Sequence, residues 1–118
     1  MLLARSAYQP PTGQPAGTFL VRDRGALVKV LVDAVRYVEA DDNYCTLHTA
    51  DRRYVVSSSL SALEARLGSP HLVRIHRSYL VDPRRITALR ERGVQLGEQL
   101  LLVCRTHRQE LVRRWKQR

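Results

Sequence analysis

From Thr18 onward the chain keeps returning to short apolar runs that a turn signal then interrupts. "TFLVR" and "ALVKVLV" are split by Asp23-Arg24-Gly25, and "VRYVEA" and "NYCTLHT" by Asp41-Asp42. "ADRR" then leads into "YVVS". Past the midpoint come "LVRIH", "RITAL", "VQL" and "LLLVC", separated by Asp82-Pro83, Gly93 and Gly97. Runs this short, rich in β-branched residues and bounded by turn formers, read as strands. Their close spacing predicts a mainly β fold, a sheet or sandwich rather than a helical bundle.

Only two stretches switch to the helical period. In "SSSLSALEARLG", Leu60, Leu63 and Leu67 recur on one face. Either Ser59 caps this helix or Ser61 and Glu64 form a capping box, and Gly68 with Pro70 stops it. In "THRQELVRRWKQR", Leu111, Val112 and Trp115 make one apolar stripe, with Thr106 and Gln109 as a second candidate box. Trp115 lies on that stripe, which favours packing in the core over stacking on a base. Residues 1–17, "MLLARSAYQPPTGQPAG", hold three of the five prolines and almost no charge. They are expected to be a flexible linker or terminus, with the ordered domain spanning 18–118.

"VRIHRSYLVD" carries a conflict inside one of these strands. Val73 and Ile75 alternate as core residues should, yet Arg74, His76 and Arg77 bring cations into the same run. Buried unpaired cations are too costly to be incidental. Arg74 and His76 are therefore expected to share the face away from Val73 and Ile75, with Arg77 leading out of the strand. Charge along the whole chain bears on the partner of that face. The protein has 20 Lys+Arg against 11 Asp+Glu, a formal net charge of +9. Eighteen of the twenty cations are Arg, whose planar fork suits phosphates and guanine edges. From Arg74 to the C-terminus there are twelve cations and four acids, so the surplus sits in the last part of the chain. A polyanionic partner is implied.

Other classes of function find little support. No Gly-rich phosphate loop, paired-carboxylate motif or nucleophile elbow is present, so an enzyme is not expected. Cys45-x-x-His48 and Cys104-x-x-His107 give matching pairs with zinc-like composition. On an extended strand, however, residues three apart point to opposite faces, so Cys45 and His48 diverge, and each Cys reads as a packing residue. Two cysteines do not make a disulfide framework, and no signal peptide opens the sequence. No apolar run approaches the ~20 residues of a membrane span. A cytoplasmic protein is expected.

The basic surface remains. Arg105 and Arg108 open the last helix, where an arginine is well placed to reach phosphates or base edges. Asn43 and Tyr44 come after the Asp41-Asp42 turn and offer an amide for adenine and a hydroxyl for phosphate. By charge alone, a small basic RNA-binding or ribosome-associated β protein fits as well as a DNA-binding one.

"VRYVEADDNYCTLHTADRRYVVSSSLSALEARL" followed by "LVRIHRSYLVDPRRITAL" resembles the LytTR DNA-binding domain of bacterial response regulators. The likeness runs from about Leu20 to Trp115, with "RIHRSYLV" its most specific element. It implies an elongated arrangement of small antiparallel sheets with two short helices, using loops rather than a recognition helix to bind duplex DNA. It further implies transcription regulation within a two-component system, imperfect promoter repeats as targets, and a homodimer on DNA. Carried over by position, contacts fall at Asn43, Tyr44 and Cys45, at Arg74, His76 and Arg77, and at Arg105, Thr106 and Arg108. No metal, cofactor or catalytic residue is implied. Seventeen linker-like residues are too few for a receiver domain, which leaves a stand-alone regulator or a piece of a longer one. Cys104 replaces the family's usual Ser, Asp82 its usual Asn, and Ser58 stands where a basic residue is frequent.

Overall fold

The computed structural model describes residues 17–68 and 71–116. The expected linker over 1–17 therefore lies almost wholly outside the described residues, as do Pro70 and the last two positions. Within them the expected fold class holds: three small antiparallel sheets and two α-helices. The overall extents of 51 × 31 × 25 Å give the elongated shape.

Strands β1 (Thr18–Asp23) and β2 (Ala26–Leu31) form a hairpin. Its turn uses Arg24 at φ 54° and Gly25 at φ 81°. The central sheet runs in the order β5-β4-β3-β7-β6, built from β3 (Tyr37–Asp41), β4 (Tyr44–His48), β5 (Arg53–Ser57), β6 (Val73–His76) and β7 (Tyr79–Val81). The third sheet, β10-β9-β8, comprises β8 (Ala88–Leu89), β9 (Gly93–Leu96) and β10 (Gln99–Leu102). Helix α1 spans Leu60–Leu67 and α2 Arg105–Lys116.

The central sheet is a wall between two cores. Val38 lies opposite Leu47 and Leu80, while Tyr37 lies opposite His48 and Val81. Because side chains alternate along a strand, these two sets face opposite ways. On the first face, Val38, Cys45, Leu47 and Leu80 pack with Phe19, Val21 and Val30 of the hairpin and Leu60, Leu63 and Leu67 of α1. On the second, Tyr37, Ile75 and Val81 pack with Ile86, Val94, Leu96, Leu101 and Leu111 of α2. Leu63 and Leu111 are fully enclosed, so truncating either to Ala should cost ~2–5 kcal/mol. Trp115 joins the second core and donates from Nε1 to the Ile86 carbonyl at 3.3 Å, the packing role its stripe foretold.

Local details differ from the sequence expectation in instructive ways. Ser59 is the cap of α1, its Oγ accepting from the Ala62 amide at 3.1 Å, and the Ser61–Glu64 box does not form. Glu64 turns instead to Arg74. Helix α2 starts at Arg105, so Thr106 lies inside its first turn and cannot cap it. The strand read as "LLLVC" ends at Leu102, placing Cys104 just ahead of the helix. "RITAL" is mostly not strand: Pro83–Arg85 is a 3-10 turn and only Ala88–Leu89 pair.

That 3-10 turn is held by Asp82, the only charged or polar side chain that is buried among the described residues. Its carboxylate accepts from the Arg84 amide at 3.0 Å and from Arg84 Nε and Nη2 at 3.0 and 2.8 Å. Arg84 reaches on to Asp33 at 2.6 Å, and Arg85 donates to the Asp33 and Ala34 carbonyls. These contacts staple the Pro83–Arg85 turn to an earlier one at Val32–Ala34. The Arg84 guanidinium in turn holds the Asp33 carboxyl below its usual range.

Candidate nucleic-acid interface

Three segments far apart in sequence meet at one end of the central sheet. The first is the β3–β4 turn, where Asp42 adopts a left-handed backbone at φ 55° and the Asn43 carbonyl accepts from the Ser58 amide at 3.1 Å. The second is the β6–β7 turn, joined to the end of β3 by Ala40 N–H donating to the Ser78 carbonyl at 2.8 Å. The third is the start of α2, joined to edge strand β6 by Cys104 N–H donating to the Ile75 carbonyl at 2.7 Å. Of the residues expected at the interface, Asn43 and Tyr44, then Arg74, His76 and Arg77, then Arg105, Thr106 and Arg108 fall on these segments, whereas Cys45 is fully buried in the first core and cannot contact a ligand there. Asn43, Tyr44, Arg77, Arg105 and Thr106 are exposed, while Arg74, His76 and Arg108 are partly buried.

Strand β6 does not present its cations as strict alternation predicts. Arg74 pairs with Leu80 in register, but His76 pairs with Tyr79, leaving Ile75 as an extra residue. Such a bulge bends the strand and re-aims the side chains beyond it. Arg74 consequently goes with the face that carries α1, and His76 with the face that carries α2. The expectation that these two share one face is corrected by a single inserted residue.

The bulge gives Arg74 a distinct job. Its Nε donates to the His76 carbonyl at 2.9 Å, its Nη2 to the Arg77 carbonyl at 3.2 Å, and its Nη1 to Glu64 Oε1 at 3.1 Å. One guanidinium thus ties the β6–β7 turn to α1 and fixes the backbone that carries Arg77. His76 Nδ1 accepts from the Ser78 amide at 3.1 Å, which leaves Nε2 to carry the proton of the neutral ring. Its ring also tilts against Tyr79, with centroids 5.6 Å apart.

Only the first Cys/His pair separates by strand geometry: Cys45 and His48 take opposite faces of β4, whereas Cys104 lies beyond β10 and both it and His107 meet the Thr106 hydroxyl. Cys45 is buried and its thiol donates to the Ser58 carbonyl at 3.2 Å; burial pushes its pKa up. His48 stacks on Tyr37 at 4.1 Å and meets Glu39 at 3.3 Å, with burial holding its pKa down. Cys104 contacts the Thr106 hydroxyl at 3.1 Å, and that bond lowers its thiol pKa. Among the described residues no group of three or more His, Cys, Asp or Glu is disposed to hold a metal ion. None of their helices is long and apolar enough to cross a membrane.

Beside His76, a groove of ≈540 Å³ runs between β6, α2 and the β8–β9 turn, lined by Glu91, Arg92, Cys104, Arg105 and Arg108 among others. Arg92 was not among the residues expected from sequence. It sits in "RERG", and a short charged run between strands ordinarily marks a solvated turn. Only the proximity of that turn to α2 marks it out. Among the described residues, the guanidinium groups of Arg77, Arg92, Arg105 and Arg108 make no hydrogen bond or ion pair, in contrast to Arg74, Arg84 and Arg85.

The β scaffold thus gathers guanidiniums that lack internal partners among the described residues from several loops, an arrangement whose charge suits a polyanion. The LytTr DNA-binding domain family matches residues 25–116, and the chain belongs to that family. The structure is similar to a solved LytTr DNA-binding domain from Bacillus cereus, with a TM-score of 0.70 at 18% identity, covering 81% of this chain and 96% of that one. The likeness to that domain is one of fold. Among curated proteins, the sequence is 34% identical over 104 residues to the heme-containing CO-sensing transcriptional regulator RcoM 1 of Paraburkholderia xenovorans, covering 79% of this chain. It is 37% identical over 84 residues to RcoM 2 of the same organism, covering 61% of this chain. The matched part spans about a third of those regulators, 37% and 31% of their lengths. DNA binding is the function that the family match supports.

Proposed function

We propose that the chain reads duplex DNA sequence-specifically through this edge and acts as a bacterial transcription regulator in the cytoplasm. The β3–β4 turn, the β6–β7 turn and the start of α2 each track the DNA surface. Arg77, Arg105 and Arg108 contact phosphates or guanine edges, Asn43 and Tyr44 add finer readout, and Thr106 contributes a hydroxyl. Arg74 acts by holding the β6–β7 turn in place. His76 offers Nε2–H from the same end. Target sites are imperfect promoter repeats engaged by a homodimer, under the control of a response-regulator type signal.

One observation carries the reading. Hydrogen bonds between Ala40 and Ser78, and between Cys104 and Ile75, bring three separate segments to the same sheet end. Among the described residues, the guanidinium groups of Arg77, Arg105 and Arg108 on those segments have no internal partner. Fluorescence anisotropy with promoter and scrambled duplexes across a salt series tests the reading, with structured RNA as competitor. Selective binding of one duplex, a steep salt dependence and preference over RNA are expected. Equal affinity for both duplexes removes the specific-readout claim, and preference for RNA removes the DNA assignment.

A further inference from the structure

The groove beside His76 holds more positive charge than the predicted contacts account for. Arg92, Arg105 and Arg108 line it together with His76, and Glu91 is its one acid. Arg108 Nη1 itself is buried, without a hydrogen-bond acceptor among the described residues. The accessible donors are those of Arg92 and Arg105, exposed and without a hydrogen bond or ion pair among the described residues, and these are open to an anion. Helix α2 begins at the same place, and its positive end favours an anion. The geometry is fixed rather than incidental. Val103 N–H donates to the Arg92 carbonyl at 3.1 Å and Arg90 N–H to the Gly93 carbonyl at 2.8 Å, pinning the turn against the chain entering α2. Gly93 must stay a glycine for this, since a Cβ there would lie 2.3 Å from the Leu101 carbonyl oxygen.

We infer that this groove seats one backbone phosphate of bound duplex DNA, with Arg92 contributing a contact from the third sheet that sequence patterns do not reveal. The inference rests on the DNA-binding reading. A phosphodiester there meets the guanidiniums of Arg92, from the β8–β9 turn, and Arg105, from the start of α2. The contact carries no base information; it sets the register of the protein on the duplex. Glu91, at the rim, opposes the phosphate and keeps the seat from holding anions too tightly.

The test uses the full chain with Arg92→Ala, Arg92→Lys and Glu91→Gln, each checked for unchanged thermal unfolding, and binding measured by anisotropy on matched and scrambled duplexes. Arg92→Ala should weaken both duplexes by the same factor, roughly tenfold, and reduce the salt slope by about one. Arg92→Lys should keep most of the slope, since the charge remains. Glu91→Gln should tighten both duplexes severalfold at low salt. Unchanged affinity and slope in Arg92→Ala, with wild-type protein binding duplex normally, overturns the phosphate seat alone. A loss confined to the matched duplex makes Arg92 a base reader and also overturns it. Wild-type protein that binds no duplex defeats the underlying reading instead. Inorganic phosphate at matched ionic strength should not displace DNA; displacement at micromolar phosphate would make the groove a free-phosphate site.

Discussion

Arg84 and Arg105 are the same side chain in two electrostatic settings. Arg84 lies at the end of the central sheet where β7 leaves it, forked onto buried Asp82 and bridged to Asp33. Arg105 lies toward the opposite end, exposed and with no carboxylate in reach among the described residues. Sequence places both among the cations of the basic last third, yet one closes a structural staple and the other is open for a ligand. Net charge therefore overstates the interface. The informative quantity is which guanidiniums lack an internal partner, and Arg74 occupies the middle ground by making internal bonds that shape the loop beside it.

The sharpest way to break this contrast is to cut the staple. Asp82→Ala removes the acceptor for the Arg84 amide and side chain and should destabilise the fold by about 3 kcal/mol, as removing one partner of a buried pair does. Urea unfolding measures the loss, and DNA affinity per folded molecule should be unchanged. A fall in affinity without a fall in stability would erase the distinction between the two ends. Asp82→Asn, which keeps an acceptor for the Arg84 amide, should cost less.

Arg74→Ala comes next. The carbonyls of His76 and Arg77 lose their donor, the turn loosens, and affinity for every duplex should drop roughly thirtyfold, about 2 kcal/mol. Arg74→Lys should restore little, because a single ammonium cannot span the three acceptors held by the fork. Full rescue by Lys would show that Arg74 acts by charge and not by positioning.

A smaller effect is expected at Trp115, which serves only packing. Trp115→Phe loses the bond to the Ile86 carbonyl and should cost about 1 kcal/mol of stability with no change in DNA binding. Loss of affinity out of proportion to stability would place Trp115 at the interface. The smallest effect belongs to acid titration of the staple. Because Arg84 holds the Asp33 pKa below its ordinary value, the pair's contribution is complete above the usual carboxylate range, near pH ~4. It is lost as pH falls through the lower folded value. Asp33→Asn should flatten that part of the stability curve, and an identical acid profile in the variant would assign the pH dependence elsewhere.

Much of the fold was readable because it is written locally. The strand runs, the Leu60-Leu63-Leu67 face and Gly68 at a left-handed φ of 56° depend on near neighbours in the chain. Ser59 and Ser61 were both plausible caps, and the register of α1 against its core chose Ser59. The "RITAL" strand was overread because Pro83 and the Asp82 side chain start a 3-10 turn first. At the candidate interface the three segments named from sequence do come together, but the bulge at Ile75 was invisible. Nothing in "VRIHRSY" marks which residue the partner strand will skip. Arg92 was passed over for a similar reason, since a charged turn gains meaning only from its packing neighbours.

The sequence by itself determined that this chain is a β protein with two short helices, a basic last third and a LytTR signature, because hydrophobic period, turn residues and charge are properties of neighbouring positions. Only the tertiary structure decided which arginines are free. Coulomb attraction and hydrogen bonding act over a few ångströms in space whatever the distance along the chain. Arg84 is therefore neutralised by Asp33, 51 positions away, while Arg77, Arg92, Arg105 and Arg108 find no such partner among the described residues.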